Sequence, residues 1–86
     1  MRQVIIQKSA QKEIDHLPDY IYKKVIRAIL SLKVNPFPTG FKKLSGRENE
    51  YRIKAGDYRI LYSIDNTFVT IYVFRVRHRK DVYRKD

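Results

Sequence analysis

Two pairs of turn residues, Gly56-Asp57 and Asp65-Asn66, punctuate the second half of the chain and leave it little choice of fold. The segments they separate, 51–54, 58–64 and 67–76, are rich in β-branched and aromatic residues with strand-like alternation. Gly-Asp suits a two-residue type II′ hairpin turn, with glycine at the first central position. Asp-Asn serves as a second tight turn, because both residue types tolerate the left-handed region. Two-residue turns fix a register, and a slip by one residue would send every side chain to the other face. The register predicted here sets Lys54 opposite Arg59, Arg52 opposite Leu61 and Arg59 opposite Tyr72. One face then carries Ile53, Tyr58, Ile60, Tyr62, Ile64, Val69, Ile71 and Val73 and is the expected core. The other carries Arg52, Lys54, Arg59, Ser63, Thr70 and Tyr72, extrapolates to His78, and is an open cationic surface. On the same parity Arg75 and Arg77 fall on the core side, where the stem of Arg75 is expected to cover the helices.

The first half follows a different period. Val4-Ile5-Ile6 reads as a short strand, and Ser9 as the N-cap of a helix with Ala10, Ile14 and Leu17 on one side. His16, at the end of that helix, reads as a partner for its C-terminal carbonyls and dipole. Pro18 separates it from a second helix striped by Ile21, Val25, Ala28, Ile29 and Leu32 and stopped by Asn35-Pro36. Pro36, Pro38 and Gly40 mark a loop, and Arg79 to Asp86 reads as a short helical tail. The expected fold is therefore a single α+β domain spanning residues 1–86, of order β-α-α-β-β-β. Its helix hairpin covers one face of a small, mostly antiparallel sheet.

Charge separates the function classes. Nineteen Lys and Arg against nine Asp and Glu give a net charge of +10 on 86 residues. On so small a chain that excess points to a polyanionic partner, nucleic acid above all. It is also local: residues 75 to 85 hold Arg75, Arg77, Arg79, Lys80, Arg84 and Lys85 against the single acid Asp81. The chain has no cysteine, no apolar stretch near the length of a bilayer span, and no signal-like N-terminus. A cytoplasmic protein without membrane contact is the expectation.

No acidic cluster suits Mg²⁺, no His/Cys spacing suits zinc, and no glycine-rich loop suits a nucleotide, so no cofactor is expected. RNA cleavage needs none of these. The 2′-hydroxyl can attack its own phosphodiester, provided that fixed cations neutralise the charge developing on phosphorus and protons reach the departing oxygen. Arg52, Lys54 and Arg59 lie on the open face, with His78, Arg79 and Tyr83 expected at its edge.

These residues carry a resemblance. Tyr51-Arg-Ile-Lys-Ala-Gly-Asp-Tyr-Arg-Ile-Leu-Tyr62, His78-Arg-Lys-Asp-Val-Tyr83 and the earlier Phe41-Lys-Lys-Leu-Ser-Gly46 resemble the RelE/ParE toxin superfamily. With the helical hairpin, the similarity covers essentially the whole chain. It implies a RelE-type, ribosome-dependent, metal-independent endoribonuclease that cuts messenger RNA and contacts ribosomal RNA. It also implies an acidic, RelB-like antitoxin partner. Arg52 and Lys54 match the two basic strand residues of the nuclease branch; arginine resists deprotonation, so Lys54 is the better candidate base. Arg59 matches the phosphate-binding arginine, and Tyr83 the C-terminal aromatic that stacks on or orients the nucleotide. His78 matches a histidine that donates a proton in some relatives. Either Arg77 or Arg79 fills the place of the late catalytic arginine, and the strand parity above favours Arg79. Lys43, Arg52, Arg77 and Lys80 complete the expected RNA-contacting cations. Two other readings remain: a non-catalytic, ParE-like gyrase poison on the same fold, and an RNA-binding module that does not cut.

Overall fold

A computed structural model describes residues 2–65, 67 and 69–84, the side chains of 82–84 excepted. The described chain is α+β, with β1 (Gln3–Ile6), α1 (Lys8–Asp15), α2 (Asp19–Ser31), β2 (Lys42–Lys43), β3 (Glu50–Ala55), β4 (Tyr58–Asp65), β5 (Thr70–His78) and α3 (Arg79–Arg84). The strands form one mixed five-stranded sheet in the order β1-β5-β4-β3-β2. The meander β3-β4-β5 is antiparallel, and β1 runs parallel to β5, from Gln3 beside Thr70 to Ile6 beside Val73. The two-residue β2, absent from the expected order, adds an edge beside β3.

The helices fold onto the apolar face. Ala10 and Ile14 of α1, and Ile21, Val25 and Ile29 of α2, bury their one-sided stripes with Leu32 against Ile53, Ala55, Ile60, Tyr62, Ile64, Ile71, Val73 and Val76. Burying the valine, leucine and isoleucine side chains among them contributes about 1.5–3 kcal/mol each. The hydroxyl of fully buried Tyr62 donates to the Pro36 carbonyl at 2.6 Å, tying the loop after α2 to the sheet. Rings of Phe37, Phe41 and Tyr51 extend from Tyr62 toward the surface.

The first turn has the expected geometry. Lys54 pairs with Arg59 and Arg52 with Leu61; Gly56 has φ +61, while Asp57 is not among the positive-φ residues. Glycine is required twice over here, because a Cβ at position 56 would lie 2.9 Å from Cδ1 of Ile21.

The second turn corrects the sequence reading. Asn66 lies outside the described residues, but Asp65 is still in β4 and pairs with Thr70, so the connection is longer than two residues. The Asp65 side chain accepts the amide of Thr67 at 2.9 Å, an Asx turn that lengthens the loop. Val69, expected in the core, is instead 45% exposed with φ +55; Thr70 keeps the expected face, with Tyr72, but is buried there. A register shift follows: Tyr62 pairs with Val73 but Leu61 with Arg75, leaving Phe74 as the extra residue of a β-bulge. Beyond it the alternation of β5 inverts. Arg59 therefore faces Arg77, not Tyr72, and Arg75 and Arg77 share the face of Arg59 rather than that of the core. His78 pairs with Tyr58 on the helix side.

The N-cap of α1 is Gln7 rather than Ser9. Ser9 is used elsewhere. β1 ends at Ile6, so the outer edge of β5 loses its strand partner just where the bulge begins, and α1 takes over. The Gln7 amide donates to the Val73 carbonyl (2.9 Å), Ser9 Oγ to the Phe74 carbonyl (2.9 Å), and the Val76 amide to Glu13 Oε1 (2.7 Å). Ser9 and Glu13, four residues apart on one helix face, thus satisfy buried or half-buried strand groups that would otherwise lack partners.

Candidate functional site

On the face turned away from the helices, cations line up across the strands. Lys54, Arg59 and Arg77 are successive partners on β3, β4 and β5. One rung further, Lys42, Arg52, Leu61 and Arg75 are partners from β2 to β5. Like charges placed directly opposite one another destabilise a sheet by roughly 0.2–1 kcal/mol per pair. In the second row Leu61 separates Arg52 from Arg75, so the repulsion is concentrated at Lys54, Arg59 and Arg77 and at Lys42 and Arg52, and an anion bound there would offset it.

Arg59 is the centre of this arrangement. It is 5% exposed, and its Nη1 donates to the carbonyls of Gly56 and Tyr58, each at 3.2 Å. Those bonds clamp the guanidinium beside the hairpin turn. Its Nε is buried without a hydrogen-bond partner among the described residues, as is Nη1 of neighbouring Arg52. An unpaired buried donor costs about 1–3 kcal/mol, and more when charged, so these groups favour a bound acceptor such as a phosphate oxygen. Lys54 beside Arg59 is exposed.

Arg77 is held from the sheet edge. Its Nε donates to Glu13 Oε2 at 2.7 Å, and Arg75 Nη1 lies 3.5 Å from the same oxygen.

The remaining expected residues are more scattered. Lys43 pairs with Tyr51 and so falls on the other parity from Lys42, which takes the position beside Arg52. His78 is on the helix side, its ring edge-on to Tyr58 with centroids 5.3 Å apart. Its Nδ1 accepts the Lys80 amide at 3.2 Å, which assigns the ring proton of the neutral form to Nε2. Both histidines line one open cleft with Glu13, Tyr58, Arg77 and Asp81, so Arg77 borders this cleft as well as the cationic face. The Tyr58 hydroxyl is pushed above its ordinary pKa by burial, then by Tyr20, Asp81 and Asp57, and stays protonated. Arg79 opens α3, donating its amide to the Asp57 carbonyl at 2.7 Å with Nε 4.0 Å from that carboxylate; Lys80 follows, exposed. Tyr83 is in α3, but its side chain lies outside the described residues. Among the described residues no group of three or more His, Asp or Glu is arranged to hold a metal, and no helix is long and apolar enough to cross a membrane.

Sequence reasoning missed Lys42, Arg75 and Glu13. Nothing in Lys42-Lys43 reveals the parity of so short a strand, and the bulge that turns Arg75 has no turn residue to announce it. Glu13 did leave a signal: an acid flanking the apolar stripe of a helix in a strongly basic chain.

Known proteins are similar to this chain over nearly its whole length. Residues 4–83 match the family described as the ParE toxin of type II toxin-antitoxin system, parDE. The chain is 34% identical over 84 residues to toxin RelE3 of Methanocaldococcus jannaschii, covering 93% of each chain. It is 31% identical over 78 residues to toxin RelG of Mycobacterium tuberculosis, covering 90% of each. The fold is similar to the toxin-antitoxin complex RelBE2 from M. tuberculosis, with a TM-score of 0.77 at 30% identity over 91% of this chain and 98% of that one. A family match over nearly the whole length, and relatives named RelE on both sequence and structure, lead to one conclusion: the chain belongs to the RelE/ParE family of toxins of type II toxin–antitoxin systems.

Proposed function

We propose that this toxin is an endoribonuclease that cuts messenger RNA on the ribosome by 2′-hydroxyl attack, leaving a 2′,3′-cyclic phosphate and a 5′-hydroxyl. One observation carries the reading: Arg59, buried and with Nε unpartnered among the described residues, sits between Lys54 and Arg77 on a face where cations oppose cations. Donors fixed in advance around a phosphate stabilise the charge that grows in the phosphorane without having to reorganise. Guanidinium groups do not give up protons in proteins, so proton transfer within the row falls to Lys54. Arg77, which shares the face of Arg59, fits the late arginine better than Arg79, whose amide and side chain turn to Asp57. Tyr83 is retained as the candidate aromatic partner of the nucleotide. His78 is a proton donor only for a substrate that reaches the cleft on the helix side.

A face of this charge also calls for a cover. The RelBE2 relative was solved as a toxin–antitoxin complex, and the +10 charge favours an acidic partner segment that folds on contact. Co-expression with the adjacent reading frame should restore growth and give a stable complex.

The decisive experiment adds the protein to translating ribosomes and maps the 5′ ends of the message. Discrete breaks within A-site codons, ending in 5′-hydroxyls and persisting in EDTA wherever the ribosome stays intact, support cleavage. Intact message with trapped gyrase–DNA complexes would move the reading to the gyrase poison. Intact message with tight RNA binding would leave only a binding module.

A further inference from the structure

Glu13 makes more contacts than a residue that only joins α1 to the sheet requires. Oε1 accepts the amide of Val76, at the stretch of β5 where β1 has ended. Its position is thereby referenced to the backbone of the strand that carries Arg75 and Arg77. Oε2 accepts Nε of Arg77 at 2.7 Å and lies 3.5 Å from Nη1 of Arg75. The contact with Arg77 is made at Nε, and its two terminal nitrogens have no hydrogen-bond partner among the described residues. An arginine gripped this way keeps the paired donors that match two phosphate oxygens, while losing the rotamer freedom that makes such contacts weak. Directly opposite Arg77, on β4, is Arg59, so the anchored guanidinium belongs to the central cationic row.

We propose that Glu13 is a positioning residue: anchored on the edge of β5, it holds Arg77 by Nε so that the terminal nitrogens meet the reacting phosphate together with Arg59. This inference rests on the endoribonuclease reading above. It makes the carboxylate an aid to the chemistry, not a competitor of the phosphate. Glu13→Gln tests it, because the amide oxygen can still accept from Val76 while the amide nitrogen, itself a donor, cannot accept from Arg77.

The experiment measures cleavage on ribosome-bound message by the full chain and by Glu13→Gln, Arg77→Ala and the double variant, with kcat and KM determined separately and melting temperatures recorded. Glu13→Gln is expected to lower kcat by about tenfold or more with little change in KM or melting temperature, the range of coupling between residues that act as a unit. In the Arg77→Ala background the same substitution should change kcat by less than about twofold. Losses that add across the cycle, or a kcat that falls only as far as melting temperature does, make Glu13 a structural staple and overturn the proposal. Arg77→Lys gives an independent reading should Glu13→Gln not fold. Lysine keeps the charge but has no Nε donor to spare, so it should be nearly as slow as Arg77→Ala, and wild-type kcat in Arg77→Lys contradicts the idea. If the unmodified chain cuts no message, the nuclease reading falls and this one with it. If it cuts and the cycle is additive, only the role of Glu13 falls.

Discussion

Arg59 joins burial, a backbone clamp and a donor without a partner among the described residues in one side chain. Replacing it with alanine removes charge stabilisation from the transition state while leaving Lys42, Arg52, Lys54, Arg75 and Arg77 on the same face. Arg59→Ala should therefore cost about 3 kcal/mol in kcat, by analogy with the loss of one oxyanion donor, with a much smaller change in ribosome binding. Binding and cleavage that fall in parallel would reduce Arg59 to a docking residue. Tyr62 makes a different point about single residues. Burial, then Tyr51, raises its pKa from 10.0 to about 12, so the fold holds the phenolic proton more tightly than the unfolded chain does. The stability from this group is complete below pH 10 and is lost as pH rises from 10 toward 12. Tyr62→Phe should lower stability at neutral pH by about 1–2 kcal/mol, because the Pro36 carbonyl loses its buried donor. It should also flatten the alkaline loss seen in melting temperatures between pH 9.5 and 11.5. An unchanged alkaline slope would assign that loss to other groups.

Among the elements, the hairpin β3-β4 was legible because a single glycine declares it. Gly56 sets both the turn and the register, which is why Arg52, Lys54 and Arg59 fall on one face as expected. Gly56→Ala forces a left-handed conformation on a residue with a Cβ and presses it against Ile21; it should cost about 1–2 kcal/mol. The melting temperature should then fall by roughly 4–8 °C per kcal/mol, and an unaffected melting temperature would show that the turn relaxes freely. The hairpin β4-β5 was misread for an equally local reason. Asp65 uses its side chain to lengthen the loop, and Phe74 enters a bulge whose cause is tertiary: α1 replaces β1 along the edge of β5. No pattern within 67–76 records that replacement. The same inversion moved Arg75 and Arg77 onto the cationic face and took His78 off it. The helices and their buried stripes were legible from period alone, except that Ser9 was needed by the Phe74 carbonyl rather than by its own helix.

At the scale of the whole molecule, the apolar face of the sheet is spent on the helices and the opposite face concentrates the charge, so packing and charge occupy different sides of the same strands. On the proposed function the +10 charge should give affinity for any RNA, weakening steeply with salt. Charge alone does not cut. In the proposed function, a row of cations surrounds one phosphate whose own 2′-hydroxyl is the nucleophile. The measurement that tests this most directly places a single 2′-deoxynucleotide at the mapped cleavage position of a ribosome-bound message. The account predicts that cleavage at that bond disappears while toxin binding persists, and that the all-RNA control yields a cyclic phosphate and a 5′-hydroxyl. Undiminished cutting at the deoxy position, or products bearing a 5′-phosphate, would contradict it.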